Sequence, residues 1–194
     1  MPVFLFNFSW MLTNLFLAIV PIVMVLLWKK RLPPTLNLFV LFLWFLFLPN
    51  SIYLLSDLEH LQNDLTRTDL PEQIVLFFQY TILALFGIYS YLYSLQPLEQ
   101  ILKWAKIIKK NQVPFYALFH FIIAFGIVLG KSQRTHSWYI FTDPGRVLND
   151  VYLTLTSPML LFWVLIFGII INSIYFFIFK KFTKKLLRKS SKRK

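Results

Sequence analysis

The chain contains no cysteine. That excludes a disulfide framework, a thiolate nucleophile and any Cys-ligated metal. Acidic residues are scarce. Eight Asp and Glu stand against twenty Lys and Arg, and together they make up only 14% of 194 residues. A soluble domain carries about a quarter charged residues. There is no HExxH, no EF-hand loop and no Gly-x-Ser-x-Gly elbow, so zinc-protease, calcium-loop and serine acyl-transfer chemistry have no motif here. No internal repeat is evident, which removes the inverted repeat on which many secondary transporters are built. The first apolar segment lacks the basic n-region and small-residue cleavage site of a signal peptide, so it reads as a retained helix.

What is present is apolar. Hydrophobic residues make up 58% and aromatics 19%, and the mean hydropathy is +0.64. Five runs, at about 8–28, 36–56, 74–96, 113–130 and 155–179, each suffice to cross a hydrocarbon core about 30 Å thick. The predicted fold is an all-α polytopic membrane bundle, residues 1–179, with five transmembrane helices.

The net charge of +12 would suggest a nucleic-acid partner in a soluble protein. Here the cations sort by loop instead. Lys29, Lys30 and Arg31 follow the first span, and Lys103, Lys106, Lys109 and Lys110 follow the third. Nine more lie between Lys180 and Lys194, giving sixteen on one side. The other side has Arg67, Lys131, Arg134 and Arg146, together with seven of the eight acids. By the positive-inside rule the cation-rich side is cytoplasmic, with the N-terminus outside and the C-terminus inside. The expected location is the cell membrane, and no nucleic-acid partner is expected.

On the cytoplasmic side, residues 97–110 read as an interfacial amphipathic helix, with Leu98, Ile101, Leu102, Ala105 and Ile108 as its apolar stripe. Residues 180–194 read as a basic tail that gains roughly 1 kcal/mol per cation beside anionic inner-leaflet headgroups.

On the outer side polar residues gather at the end of the second span. In Leu48-Pro49-Asn50-Ser51-Ile52-Tyr53-Leu54-Leu55-Ser56-Asp57-Leu58-Glu59-His60, a continuous helix would place Asn50, Tyr53, Asp57 and His60 within roughly an 80° arc. Ionisable groups at membrane depth are costly and default to function. Pro49 removes a helix hydrogen bond and frees a carbonyl. The fourth span adds His120 near mid-membrane. Gly126 and Gly130 form a small-residue face after it, and Arg134 lies beyond. If that face packs on the second span, Arg134 approaches Asp57 and can clamp an anionic ligand. The expected site is an outward-facing polar pocket. Asp57 and His60 are its candidate catalytic pair, and Asn50, Tyr53, His120 and Arg134 its ligand-binding residues.

These residues carry a resemblance. Leu48-Pro49-Asn50, Tyr53, Asp57 and His60, followed by Gly130-Lys131, Arg134 and Ser137-Trp138, resemble the bacterial membrane-protein family called domain of unknown function 1361, over about residues 36 to 160. The first motif, LPNxxYxxxDxxHL, agrees at six spaced positions. The second is looser. The family pattern has an asparagine before Ser-Trp and an aspartate after it, where this chain has His136 and Tyr139, so no role of that aspartate transfers. The resemblance implies a polytopic membrane protein and supplies no activity.

Whether the protein is an enzyme is left open. No cofactor is strongly implied. A divalent metal would need Asp57, His60 and a third ligand from His120 or His136, with one position open to water. Metal-free acid–base chemistry by Asp57 and His60 on a lipid-linked substrate is a further reading. Proton or solute transport through Asp57, His60 and His120 would require an oligomer. A non-catalytic accessory protein would use the acidic loop 57–73 to meet an outer-face ligand or membrane partner. The bland alternative for the stripe is a satisfied polar seam between helices.

Overall fold

The computed structural model describes residues 3–30, 32–107 and 112–179. Among the described residues all regular structure is helical. Five helical segments are long and apolar enough to cross a membrane: Asn7–Trp28, Pro34–Leu65, Leu70–Trp104, Gln112–Ser132 and Pro158–Phe177. The basic tail 180–194 lies outside the described residues, as do 108–111. The chain divides into two compact units, Met1–Ile101 and Leu102–Lys194.

The first unit contains α1 (Val3–Trp28), α2 (Pro34–Tyr53), α3 (Leu58–Leu65) and α4 (Leu70–Ser94). Helix starts follow from local chemistry. Pro34 opens α2, where a missing N–H costs nothing. The Asp69 side chain accepts the Glu72 N–H at 3.3 Å and caps α4. The three long helices pack on one another around Met11, Ala18, Leu54, Leu76, Tyr80 and Leu83. Small residues permit the closest approach. A Cβ on Gly87 would sit 2.8 Å from the Ser51 carbonyl oxygen, so only glycine lets α4 lie against α2 there. One turn on, Ser90 Oγ lies 2.5 Å from the Ala18 carbonyl oxygen and 3.0 Å from Ser51 Oγ, joining all three helices.

The second span is not one uninterrupted α-helix. Residues 54–57 form turns closed by i→i+3 bonds, including Leu55 N–H to Ile52 O at 3.0 Å and Ser56 N–H to Tyr53 O at 2.7 Å. The Ser56 hydroxyl also donates to Tyr53 O at 2.7 Å, competing with the α-helical ladder. Such a turn advances about 120° per residue rather than 100°. Asn50 and Tyr53 therefore lie at the end of α2, while Asp57 and His60 lie beyond the turn, at the start of α3.

Helix α5 (Gln96–Trp104) crosses the boundary between the units. The stretch expected to be amphipathic over 97–110 is helical to Trp104, and residues 108–110 are outside the described ones. Its end is a Schellman motif. The Lys106 N–H bonds Lys103 O at 3.0 Å and the Ile107 N–H bonds Leu102 O at 3.1 Å, with Lys106 at φ 55°.

The second unit continues with α6 (Gln112–Ser132), α7 (Tyr139–Thr142), α8 (Pro144–Thr156) and α9 (Pro158–Ser173), which runs into a π-helical segment, Ile174–Phe179. Asp143 caps α8 by accepting the Arg146 N–H at 3.1 Å, and Ser157 caps α9 by accepting the Leu160 N–H at 3.4 Å. Each cap is followed by proline at the first helical position. Helices α6 and α9 form the main pair. They meet most closely at Gly168, where a Cβ would fall 2.2 Å from Phe121 Cδ1. In both units outward side chains are apolar as well, Phe16, Ile82, Leu118 and Ile169 among them, as a bundle bathed in lipid requires.

Candidate functional site

Span one is almost wholly apolar, yet it carries Asn7, Trp10 and Asn14. Spacings of three, four and seven place these on one helical face. Both amides hold carboxylates that come from beyond α2. Asn14 Nδ2 donates to Asp57 Oδ2 at 2.9 Å, and Asn7 Nδ2 donates to Asp64 Oδ2 at 2.5 Å. Asp57 is 3% exposed and Asn7 4%. Burying a carboxylate without such donors would cost several kcal/mol.

Around Asp64 the contacts form a chain across three helices. The Tyr80 hydroxyl of α4 donates to the same Asp64 oxygen at 2.8 Å. The Trp10 indole N–H donates to Asn7 Oδ1 at 3.0 Å, which fixes the indole ring. That ring lies 6.1 Å from the Tyr80 ring and edge-on to His60 at 5.8 Å. Asn7, Trp10, His60 and Asp64 line a cavity of about 280 Å³. The space opens to the surface and has room for more than a single water molecule. Among the described residues Asp64 makes no ion pair. Its carboxylate is held by neutral donors.

Asp57 and His60 are directed to different partners. Asp57 turns to Asn14, whereas the His60 ring packs on Trp10 and lies 3.9 Å from Glu59 Oε1. The Asn50 amide donates to Phe47 O at 3.1 Å, within its own helix, and Tyr53 is half-buried at the end of α2. Asn7, Trp10 and Tyr80 did not figure among the expected site residues, and Asp64 figured only within the acidic loop 57–73. The available signal was the seven-residue spacing of two asparagines in an otherwise apolar span.

His120, Arg134 and His136 belong to the second unit. His120 is fully buried between α6 and α9, with Nδ1 3.0 Å from Asn172 Oδ1. Asn172 in turn donates to Gly168 O at 2.8 Å, and Tyr175 presents its ring edge-on to His120 at 4.9 Å. This is a packed polar clasp within the pair. Arg134 is exposed after α6 at φ 53°.

The paired guanidinium of that loop is Arg146. Its Nε lies 3.7 Å from Asp150 Oδ2, which also accepts the Thr135 hydroxyl at 2.6 Å, and its cationic head stands 4.7 Å over the Tyr139 ring. His136 stacks on Trp138 with centroids 4.3 Å apart. Desolvation holds the His136 imidazole below its usual range, and the Arg146 charge adds to the effect. Among the described residues no three His, Asp or Glu side chains gather closely enough to hold a metal ion.

A family model described as Protein of unknown function (DUF1361) matches residues 13–174. The match takes in Asp57, His60, Asp64 and Tyr80 and begins after Asn7 and Trp10. No curated protein and no solved structure matches the chain.

Proposed function

Since the chain belongs to the DUF1361 family, whose description assigns no activity, we propose from the site alone that it is a membrane-embedded binding protein. Its cavity, between Trp10 and Asp64, receives a small polar group at the outer leaflet of the cell membrane. The observation that carries this reading is the 280 Å³ cavity itself, lined by a half-buried carboxylate that only neutral groups hold. Polar groups at such depth cost stability unless they bind something. The outward orientation comes from charge. The cavity lies at the end of α1 remote from Lys29 and Lys30, and the positive-inside rule puts those cations in the cytoplasm. Asp57 supports the site by anchoring the turn before α3 to Asn14. His60 forms part of the cavity wall, its ring edge-on to Trp10.

The test is ligand-dependent thermal stability of delipidated protein in dodecyl maltoside. His60→Trp puts a larger ring into the cavity wall at an exposed position and leaves the Asp64 partners, Asn7 and Tyr80, in the chain. At least one probe from a set of phosphatidylethanolamine, phosphatidylglycerol, ethanolamine and inorganic phosphate should raise the melting temperature of wild type and leave His60→Trp unmoved. Equal effects on both proteins would mean that lipid acts through the apolar exterior, and the reading would fall.

A further inference from the structure

We propose that the cavity takes an ammonium group, a primary amine seated between the Asp64 carboxylate and the face of Trp10. The inference rests on the binding reading above and names its ligand. A carboxylate offers about four acceptor positions, and Asn7 and Tyr80 together occupy two, both on Oδ2. Acceptor capacity is left, and no donor among the described residues brings a positive charge to it. The nearest cation in sequence, Arg67, is exposed and reaches Asp64 through its backbone N–H, 3.1 Å from the Asp64 carbonyl.

The cavity wall is suited to a cation on its other side also. Trp is the best ring for holding an ammonium, and the bond from its N–H to Asn7 keeps this one in place. Glu59 lies 3.9 Å from His60 of the cavity wall and brings a second carboxylate to this side. No lysine or arginine lines the space, so a phosphate or carboxylate would stand against Asp64 with no fixed positive charge beside it. A neutral polar group would leave the carboxylate charge uncompensated. An ammonium satisfies both walls at once, through a charge-assisted hydrogen bond to Asp64 and a cation–π contact with Trp10.

Two sources present this chemistry, the ethanolamine headgroup of a phospholipid and a free alkylamine. Delipidated wild type in dodecyl maltoside is titrated with free ethanolamine, phosphatidylethanolamine, its N-acetylated derivative and phosphatidylglycerol, and melting temperature and lipid retention in native mass spectrometry are read. The amine-bearing probes should bind and the N-acetylated lipid should not. Asp64→Asn, which keeps an acceptor for Asn7 and Tyr80, should weaken amine binding about tenfold or more. Binding of free ethanolamine identifies a soluble amine, and binding only of the phospholipid identifies a headgroup; either supports the proposal. Equal binding of N-acetylated lipid or phosphatidylglycerol, still abolished by His60→Trp, overturns the ammonium while the cavity keeps its role. If no probe distinguishes wild type from His60→Trp, both readings fall together. Should Asp64→Asn fail to fold, the comparison of free and acetylated amine on wild type decides the question alone.

Discussion

Asn14 on α1 donates a 2.9 Å hydrogen bond to Asp57, a residue 97% buried in the turn between α2 and α3. Together with the bond from Asn7 to Asp64, it makes α1 a two-rung support for the acids that follow the second span. Both rungs come from one face of a predominantly apolar helix.

Removing the upper donor should therefore hurt more than neutralising the acid. Asn14→Leu strips a partner from a buried carboxylate and is expected to cost about 1–3 kcal/mol. Asp57→Asn keeps an acceptor for Asn14, removes a desolvated charge and should change stability by less than about 1 kcal/mol. Unfolding in detergent, followed by helical circular dichroism, separates the two. If Asp57→Asn proves the costlier change, the carboxylate is half of a stronger structural pair.

The contact of α4 with α2 sets a second expectation. An alanine methyl at position 87 would meet the Ser51 carbonyl oxygen at 2.8 Å and Leu54 Cβ at 2.9 Å. Neither belongs to the free end of a flexible side chain, so the helices must separate. Gly87→Ala should lower stability by about 1–3 kcal/mol and weaken the Ser90 clip one turn away. A melting temperature equal to wild type would show that the helices can part without cost.

The end of α5 gives an expectation of opposite sign. Lys106 occupies a left-handed position, φ 55°, where a side chain is strained and glycine is not. Both Schellman bonds are made by the backbone and survive substitution. Lys106→Gly should stabilise the protein by about 0.5–1 kcal/mol, visible as a higher melting temperature. Lys106→Val, β-branched at the same φ, should do the reverse.

The spans were legible because hydropathy and bilayer thickness act on each segment separately. Asp143 and Ser157, each followed by proline, and Asp69, with proline two residues on, also mark helix starts in plain sequence. The site was less legible. The stripe drawn through Asn50, Tyr53, Asp57 and His60 assumed 100° per residue, and the i→i+3 turns at 54–57 break that count. Nothing local announces them beyond Ser56, whose hydroxyl bonds Tyr53 O. Asn7 and Tyr80 matter through contacts with Asp64, 57 and 16 residues distant in sequence, which no periodicity within one span reveals. Lys106 was hidden for a different reason. A positive φ is readable from glycine or asparagine, and lysine gives no sign of it.

His136 makes the stability of the second unit depend on pH. Its imidazole, packed on Trp138 and facing Arg146, binds a proton less readily in the fold than in the unfolded chain. Over the interval below the usual value of 6.5 the unfolded chain therefore takes up more protons, and stability falls as the solution is acidified through the folded pKa. His136→Phe keeps a flat ring on Trp138 and removes the titration. Melting temperatures between about pH 7.5 and 5 should decline less steeply for this variant than for wild type. Arg146→Gln should recover part of the proton affinity, the smaller part, because desolvation is the larger cause. Parallel curves for wild type and His136→Phe would assign the acid sensitivity to another group and leave the His136–Trp138 stack as packing alone.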